Sequence, residues 1–327
     1  MVLFGKINSS DGFNFSHDNV TVWDDAMNYG CGSLQILLVL IGVPLNFYLY
    51  YFHWQKRISW TARFYRFLAI PNLGLVLLES LPQAVYLLMP GYLLESEQAL
   101  KVLNEILALV SECLWSYHKI LIFMLCLMQY LSIHHPYWTI IHGVKFKKLM
   151  MIALVLVIVF LTIAFILSLA ISDHRVFGFS NSFETFFTKD NTAVILTIVF
   201  VQIPDYLFIF SAFVLYIITR KNLRWNTEIE VSDKIRSDFR AIGLIVVNAF
   251  LWMVAKISYT VLLHSYNDLY QIPYENFYYI YILNNILPPL LATLSSLYVL
   301  LFYQDVRMAF YNLLKTGKFD AFPYDQL

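Results

Sequence analysis

The chain has 327 residues, of which 59% are hydrophobic, 17% aromatic and 13% charged. A soluble domain usually has about 25% charged residues, so this composition excludes an ordinary soluble enzyme, a disordered chain and, with only three cysteines, a secreted disulfide scaffold. Basic and acidic residues are equal in number, 22 each, so there is no net positive charge to bind nucleic acid. The composition predicts a protein that crosses a lipid bilayer several times.

Residues 1–30 form a polar tail with three N-glycosylation sequons, which begin at Asn8, Asn14 and Asn19. Glycans are added only on the lumenal or extracellular face of a membrane, so the sequons predict an extracellular amino terminus. The tail has no apolar segment with a cleavage site, and we expect the first span to act as an uncleaved insertion signal.

A bilayer core is ~30 Å thick, and a helix needs roughly 20 mostly apolar residues to cross it. Seven stretches of the chain meet this condition: 32–52, 64–90, 104–131, 148–171, 193–219, 240–264 and 277–303. The third contains Glu112, His118 and Lys119, is the weakest by hydropathy, and should depend on its neighbours to stay inserted. The sequence predicts an all-α, seven-transmembrane helix bundle over residues 31–303.

The basic residues are distributed unevenly between the two sides of this bundle. Sixteen follow the first, third, fifth and seventh spans, whereas four lie on the opposite side. Because cytoplasmic loops are enriched in Lys and Arg, this asymmetry also predicts an extracellular amino terminus.

Residues 304–327 are expected to be cytoplasmic and to begin with a short amphipathic helix. Its apolar positions recur at helical spacing and are Val306, Ala309, Phe310, Leu313 and Leu314. Basic residues flank this stripe, a pattern typical of a helix that lies on the inner leaflet.

Two segments resemble sequences of the rhodopsin-like G-protein-coupled receptors. Residues 42–46 (Gly-Val-Pro-Leu-Asn) are similar to the Gly-x-x-x-Asn region of the family's first helix. Residues 68–72 (Leu-Ala-Ile-Pro-Asn) are similar to its Leu-Ala-x-Ala-Asp sequence, with Asn72 in place of the acid. The resemblance implies that Asn46 ties the first, second and seventh helices together, and it places Asn46 and Asn72 in the intramembrane switch.

A longer match lies at the inner end of the third span. Residues 128–136 (Met-Gln-Tyr-Leu-Ser-Ile-His-His-Pro) resemble the family's Asp-Arg-Tyr-Leu-Ala-Ile-x-His-Pro, with Gln129 in place of the arginine that meets the G protein. Residues 295–298 (Ser-Ser-Leu-Tyr) resemble its Asn-Pro-x-x-Tyr motif without the Asn-Pro pair. The resemblance implies a G-protein-coupling face that consists of Gln129, Tyr130, His135, Pro136 and Arg307.

The whole pattern is most similar to the divergent nematode serpentine chemoreceptors. The disulfide common in the larger family cannot form, since no cysteine lies at the outer end of the third span or in residues 173–192. The three cysteines, Cys31, Cys113 and Cys126, are therefore expected to be ordinary thiols. The resemblance implies an extracellular small-molecule or peptide ligand, a heterotrimeric G protein, and a location in the plasma membrane, with the sensory cilium as one candidate site.

Five ionisable residues fall inside the predicted spans: Glu79, Glu112, Lys119, Asp205 and Lys256. Such residues usually face the interior of a helix bundle or a water-filled cavity. We expect Asp205 to pair with Lys119 or with Lys256, either as a switch between two packings or as a static structural pair. Glu79 and Glu112 lie in the outer halves of their spans, where they either anchor a cationic ligand group or hydrogen-bond between helices.

Aromatic residues, among them Tyr278 and Tyr281, cluster at the outer end of the seventh span. An aromatic belt at the membrane interface is the simpler interpretation, and a ligand entrance is the alternative.

Two other classes of membrane protein stay open as alternatives. A transporter is expected to show repeated halves and broken helices, and the sequence shows no repeat. A channel subunit of the insect odorant type has its amino terminus inside, which the sequons oppose. No His, Cys or Asp cluster has the spacing of a metal or catalytic centre, and the seventh span has no lysine to hold retinal. We therefore predict no enzyme activity, catalytic residue, metal or cofactor.

Overall fold

The computed structural model describes residues 17–55, 60–88, 97–135, 148–149, 151–160, 162–163, 202–225, 233–264 and 282–317. Regular structure within these residues is entirely helical, with no strand. The helices are α1 (His17–Gln55), α2 (Trp60–Leu75), α3 (Leu81–Leu88), α4 (Glu97–His134), α5 (Met151–Phe160), α6 (Ile203–Trp225), α7 (Asp233–His264), α8 (Leu287–Phe302) and α9 (Gln304–Thr316). A π-helical turn, Val76–Ser80, joins α2 to α3, and a second, Ile282–Ile286, precedes α8.

Most of the predicted spans appear as long apolar helices. Five segments are long and apolar enough to cross a membrane: Tyr29–Tyr51, Phe64–Val85, Val110–His134, Ile203–Leu223 and Phe239–Ile257. The pair of α8 and α9, bent by 85°, accounts for a sixth. The described part of the fourth predicted span contains α5, and the rest of that span lies outside the described residues. The prediction of an all-α, membrane-spanning bundle is confirmed.

The third span lies at the centre of the bundle. Its mean hydropathy of 1.3 is the lowest of the five, and 67% of its most apolar stretch is buried, the largest share. Helix α4 packs against α2, α6 and α7. These neighbours surround its polar residues, which is where ionisable groups inside a membrane usually lie.

Each π-helical turn is followed by proline. Proline has no backbone N–H, and its ring clashes with the carbonyl group four residues earlier. For Pro82 that carbonyl belongs to Leu78, inside the turn Val76–Ser80, and a wider turn relieves the clash. Glu79 is part of this turn.

At one end of the bundle, α4 and α6 finish and α7 begins. This end carries the exposed residues Arg220, Lys221 and Arg240, and we call it the basic end. Helix α9 packs at this end. The Tyr48 hydroxyl donates a 3.1 Å hydrogen bond to the Val306 carbonyl oxygen. Gly317, with a φ of 67°, then ends α9 in the left-handed conformation that favours glycine.

The predicted amphipathic helix after the last span is confirmed as α9, but its apolar stripe contacts protein. Val306 and Ala309 are buried against the bundle, whereas Leu314 is 71% exposed. The apolar side chains of α9 that remain exposed are therefore Met308, Tyr311 and Leu314. The reason is the 85° bend, which folds the stripe back onto α1 and α8.

Candidate functional site

A buried ion pair joins the third and fifth spans. Lys119 of α4 donates from Nζ to Oδ2 of Asp205 on α6. The two residues are 1% and 5% exposed. The sequence did not decide whether Lys119 or Lys256 pairs with Asp205. In the structure, Asp205 forms the ion pair with Lys119.

Two tryptophan rings flank the ammonium group of Lys119. Its Nζ atom lies 4.8 Å from the ring centroid of Trp115 and 4.9 Å from that of Trp252. The rings meet edge to face, with centroids 5.0 Å apart. Burying a lysine in a low-dielectric interior is costly, and the Asp205 carboxylate and two indole faces together offset that cost.

Lys256 extends the same cluster on α7. Its Nζ atom lies 5.0 Å from the ring centroid of Trp252. Glu79 interacts electrostatically with Glu112, Lys119 and Lys256, and Lys119 interacts with Glu112 and Lys256. The structure thus brings all five predicted intramembrane ionisable residues into one charged cluster, with Lys119 at its centre.

The acidic side of this cluster contains polar atoms without partners. Among the described residues, Oε2 of Glu79 and the hydroxyl oxygen of Ser80 are buried and make no hydrogen bond. The Glu79 carboxyl group lies beside Ser111. Buried polar groups nearly always have a partner, so these atoms mark a place for a polar ligand group or water.

A polar tie connects the first, second and seventh spans. The Ser296 hydroxyl donates to Oδ1 of Asn46, and it accepts a 3.0 Å hydrogen bond from Nδ2 of Asn72. Asn46 also donates from Nδ2 to the Gly42 carbonyl oxygen over 2.8 Å. The tie that the resemblance implied for Asn46 and Asn72 is therefore present, and Ser296 is its third member.

A cavity of about 10 Å³ lies between the ion pair and this tie, with room for one water molecule. Its polar lining includes His118, Asn248, Ser295 and Tyr298. Asn248 of α7 donates a 2.6 Å hydrogen bond to the Tyr298 hydroxyl of α8. The cavity and this bond link the sixth and seventh spans beside the charged cluster.

The site residues predicted from the sequence did not include the two tryptophans. Each stands four residues before a lysine, Trp115 before Lys119 and Trp252 before Lys256. Residues four apart are neighbours on a helix surface, and long side chains lean towards the helix amino terminus. The repeated Trp-x-x-x-Lys spacing was therefore a signal that could have found them.

The predicted coupling residues that are described lie at the basic end. Gln129 and Tyr130 are half-buried near the end of α4, and His135 follows that helix and is exposed. The Tyr130 ring lies 4.5 Å from the His134 ring, which is hydrogen-bonded to Asn222 of α6 over 2.9 Å. Arg307 is exposed on α9, where it donates from Nη1 to the Leu301 carbonyl oxygen over 3.3 Å. Asn19 lies near the start of α1, and the remaining predicted site residues lie outside the described residues: Asn8, Asn14, Pro136, Tyr278 and Tyr281.

No protein-family model and no curated protein sequence matches this chain. Its structure is similar to the crystal structure of squid rhodopsin, with a TM-score of 0.63 over 90% of this chain and 89% of that chain. The two sequences are 12% identical, so the likeness shows the fold alone. The chain is a multi-pass membrane protein whose helical fold is similar to that of squid rhodopsin.

Proposed function

We propose that this protein is a G-protein-coupled receptor that senses an extracellular small molecule or peptide. The observation that carries the proposal is the buried Lys119–Asp205 pair at the centre of a rhodopsin-like bundle. Ionisable residues inside a membrane usually mark a pathway, a sensor or a ligand counter-ion. The motif resemblances at Asn46, Asn72 and residues 128–136 support the same class.

The charged cluster provides a route from ligand to helix packing. Lys119 holds α4 to α6 through Asp205, and it meets α7 through the ring of Trp252. A ligand that binds one arrangement of these three helices better than another shifts the bundle towards that arrangement. The proposed switch consists of Lys119, Asp205 and Lys256, together with Asn46 and Asn72, which lie nearer the basic end.

The ligand is proposed to enter at the end of the bundle opposite the basic end. Glu79 and Glu112 lie on that side of Lys119, and Tyr278 and Tyr281 are proposed to line the entrance. The three sequons and the excess of basic residues at the basic end support an extracellular amino terminus in the plasma membrane. The same motif pattern favours a chemosensory receptor of the nematode serpentine type.

The heterotrimeric G protein is proposed to bind at the basic end. The proposed contact face consists of Gln129, Tyr130, His135, Pro136 and Arg307. The hydrogen bond between His134 and Asn222 supports this location, since it joins α4 to α6 at the point where their packing would change.

The first test of this function is topological. The full chain, with an accessible amino-terminal tag, is expressed in animal cells, and intact cells are stained and treated with a glycosidase. We expect surface staining and a mobility shift that disappears when Asn8, Asn14 and Asn19 are all replaced by Gln. An unglycosylated tail on the cytoplasmic side would exclude the receptor proposal.

The second test is functional. Second-messenger responses to a ligand panel are compared for wild type, Asp205→Lys, Lys119→Asp and the double exchange. The double exchange should recover a response that each single change loses, because it restores the ion pair. A double variant no better than the singles contradicts the switch. A ligand-gated current that persists without G protein would instead favour a channel.

A further inference from the structure

The side chains around Glu79 offer hydrogen-bond acceptors in excess. Oε2 of Glu79 and the hydroxyl oxygen of Ser80 have no hydrogen-bond partner among the described residues. Ser80 is fully buried and Ser111 is 5% exposed. Ser111 lies beside the Glu79 carboxyl group. A serine hydroxyl that donates to the Glu79 carboxylate keeps its lone pairs as acceptors, so a ligand group with several hydrogen-bond donors suits this place.

The charge balance of the cluster defines the sign and number of the ligand charges. The three carboxyl groups of Glu79, Glu112 and Asp205 face the two ammonium groups of Lys119 and Lys256. The carboxyl groups outnumber the ammonium groups by one. A single positive ligand charge beside Glu79 would favour the ionised form of that carboxyl group and leave the cluster electrically balanced.

The aromatic rings of the cluster determine which kind of cation fits. A quaternary ammonium ion has no N–H donor and is usually recognised by the faces of aromatic rings. Here the Trp252 ring is already contacted by two lysines and the Trp115 ring by one. A primary ammonium group has three N–H donors and no acceptor, and it matches the free oxygen atoms beside Glu79.

We propose that Glu79, with Ser111 and Glu112, binds the primary ammonium group of a ligand with one positive charge. This assignment rests on the proposed function only in taking the end opposite the basic end as the ligand side. It goes further because it names one chemical group, excludes a quaternary analogue and assigns the main contact to the π-helical turn of the second span.

The experiment measures binding to the purified full chain in nanodiscs, without a G protein. The probes are butylamine, 2-phenylethylamine and tryptamine, each paired with its N,N,N-trimethyl analogue. The readout is the thermal unfolding midpoint as a function of probe concentration. We expect at least one primary amine to raise the midpoint saturably, and its trimethyl analogue to leave it unchanged.

Two pairs of variants locate the site. Glu79→Gln should weaken amine binding about tenfold or more, because it removes a charge-assisted hydrogen bond. Glu228→Gln is its control, since it makes the same change in the polar segment between α6 and α7. Ser111→Ala should weaken binding as well, whereas Ser132→Ala changes an exposed serine near the other end of α4 and should not. If Glu79→Gln fails to fold, amine affinity is compared instead between Ser111→Ala and Ser132→Ala, and between Glu112→Gln and wild type.

Three results would overturn the inference: no shift with any primary amine, an equal shift with the trimethyl analogues, or unchanged affinity in the folded Glu79→Gln variant. Failure of the proposed function looks different. Amine binding without any second-messenger response would contradict only the receptor proposal. A response to ligands that lack an amine, with no amine binding, would contradict only this inference.

Discussion

Lys119 and Lys256 lie over the same indole ring. Their Nζ atoms are 4.9 Å and 5.0 Å from the ring centroid of Trp252, although the lysines belong to different helices. Two like charges on one ring repel each other, and the carboxyl groups around them offset that repulsion. Any change at Lys256 or Glu79 therefore alters the electrostatic field that acts on the Lys119–Asp205 pair. This relationship connects the proposed ligand side to the centre of the bundle.

The Lys119–Asp205 pair should be replaceable only as a unit. Asp205→Leu alone leaves the Lys119 ammonium group buried without its counter-ion, and we expect the free energy of unfolding to fall by about 3–5 kcal/mol. Adding Lys119→Met removes that charge and should recover most of the loss. Thermal unfolding in nanodiscs measures both effects. Lys221→Met, at an exposed lysine, is the control and should change stability little. A double variant as unstable as Asp205→Leu would contradict the prediction.

The polar tie should depend on the hydroxyl of Ser296. Ser296→Ala leaves Oδ1 of Asn46 and Nδ2 of Asn72 without the partner they share, so we expect a loss of about 1–3 kcal/mol in stability. Ser295→Ala is the matched control, because the bond that the Ser295 hydroxyl makes within the described residues is to the Leu291 carbonyl oxygen of its own helix, over 2.6 Å. Unfolding midpoints of the two variants provide the comparison. Equal losses would show that the interhelical tie adds nothing.

Gly42 should tolerate no side chain. A Cβ atom at this position would lie 2.7 Å from Oγ1 of Thr293 and 3.1 Å from a methyl carbon of Val76. We therefore expect Gly42→Ala to lower the free energy of unfolding by about 1–3 kcal/mol through overpacking. Gly30→Ala is the control within the same helix, because no atom lies within 4 Å of its added Cβ. It should be neutral or should stabilise the helix by about 0.5–1 kcal/mol. The prediction fails if the two variants unfold at the same temperature.

Tyr130 should affect coupling more than folding. Its half-buried ring contacts His134 at the basic end, within the proposed G-protein face. We expect Tyr130→Ala to lower the potency of the second-messenger response about tenfold, which corresponds to ~1.4 kcal/mol of contact energy. Surface expression should stay at the wild-type level. Tyr29→Ala removes a tyrosine that is 59% exposed towards the opposite end and should signal normally. A wild-type response from Tyr130→Ala would remove this residue from the coupling face.

Several features of the structure were predictable because they depend on local chemistry. The apolar stretches predicted helices, since backbone groups in lipid must be satisfied within the segment. The helical spacing of Val306, Ala309 and Phe310 predicted α9 for the same kind of local reason. The direction in which α9 turns was not predictable, because it depends on the backbone at Tyr303, which is extended between the two helices.

The sequence by itself determined which residues enter the membrane and that the five ionisable ones lie at membrane depth, because hydrophobicity and helix length are local properties. Only the tertiary structure decided that Lys119 pairs with Asp205, 86 positions further along the chain. That choice depends on the rotation and depth of α4 and α6 relative to each other. The packing of α4 against α6 and its other neighbours sets that geometry, and moving along a helix by one residue rotates the side-chain direction by about 100°. Interhelical partners are therefore a property of packing, which no single segment encodes.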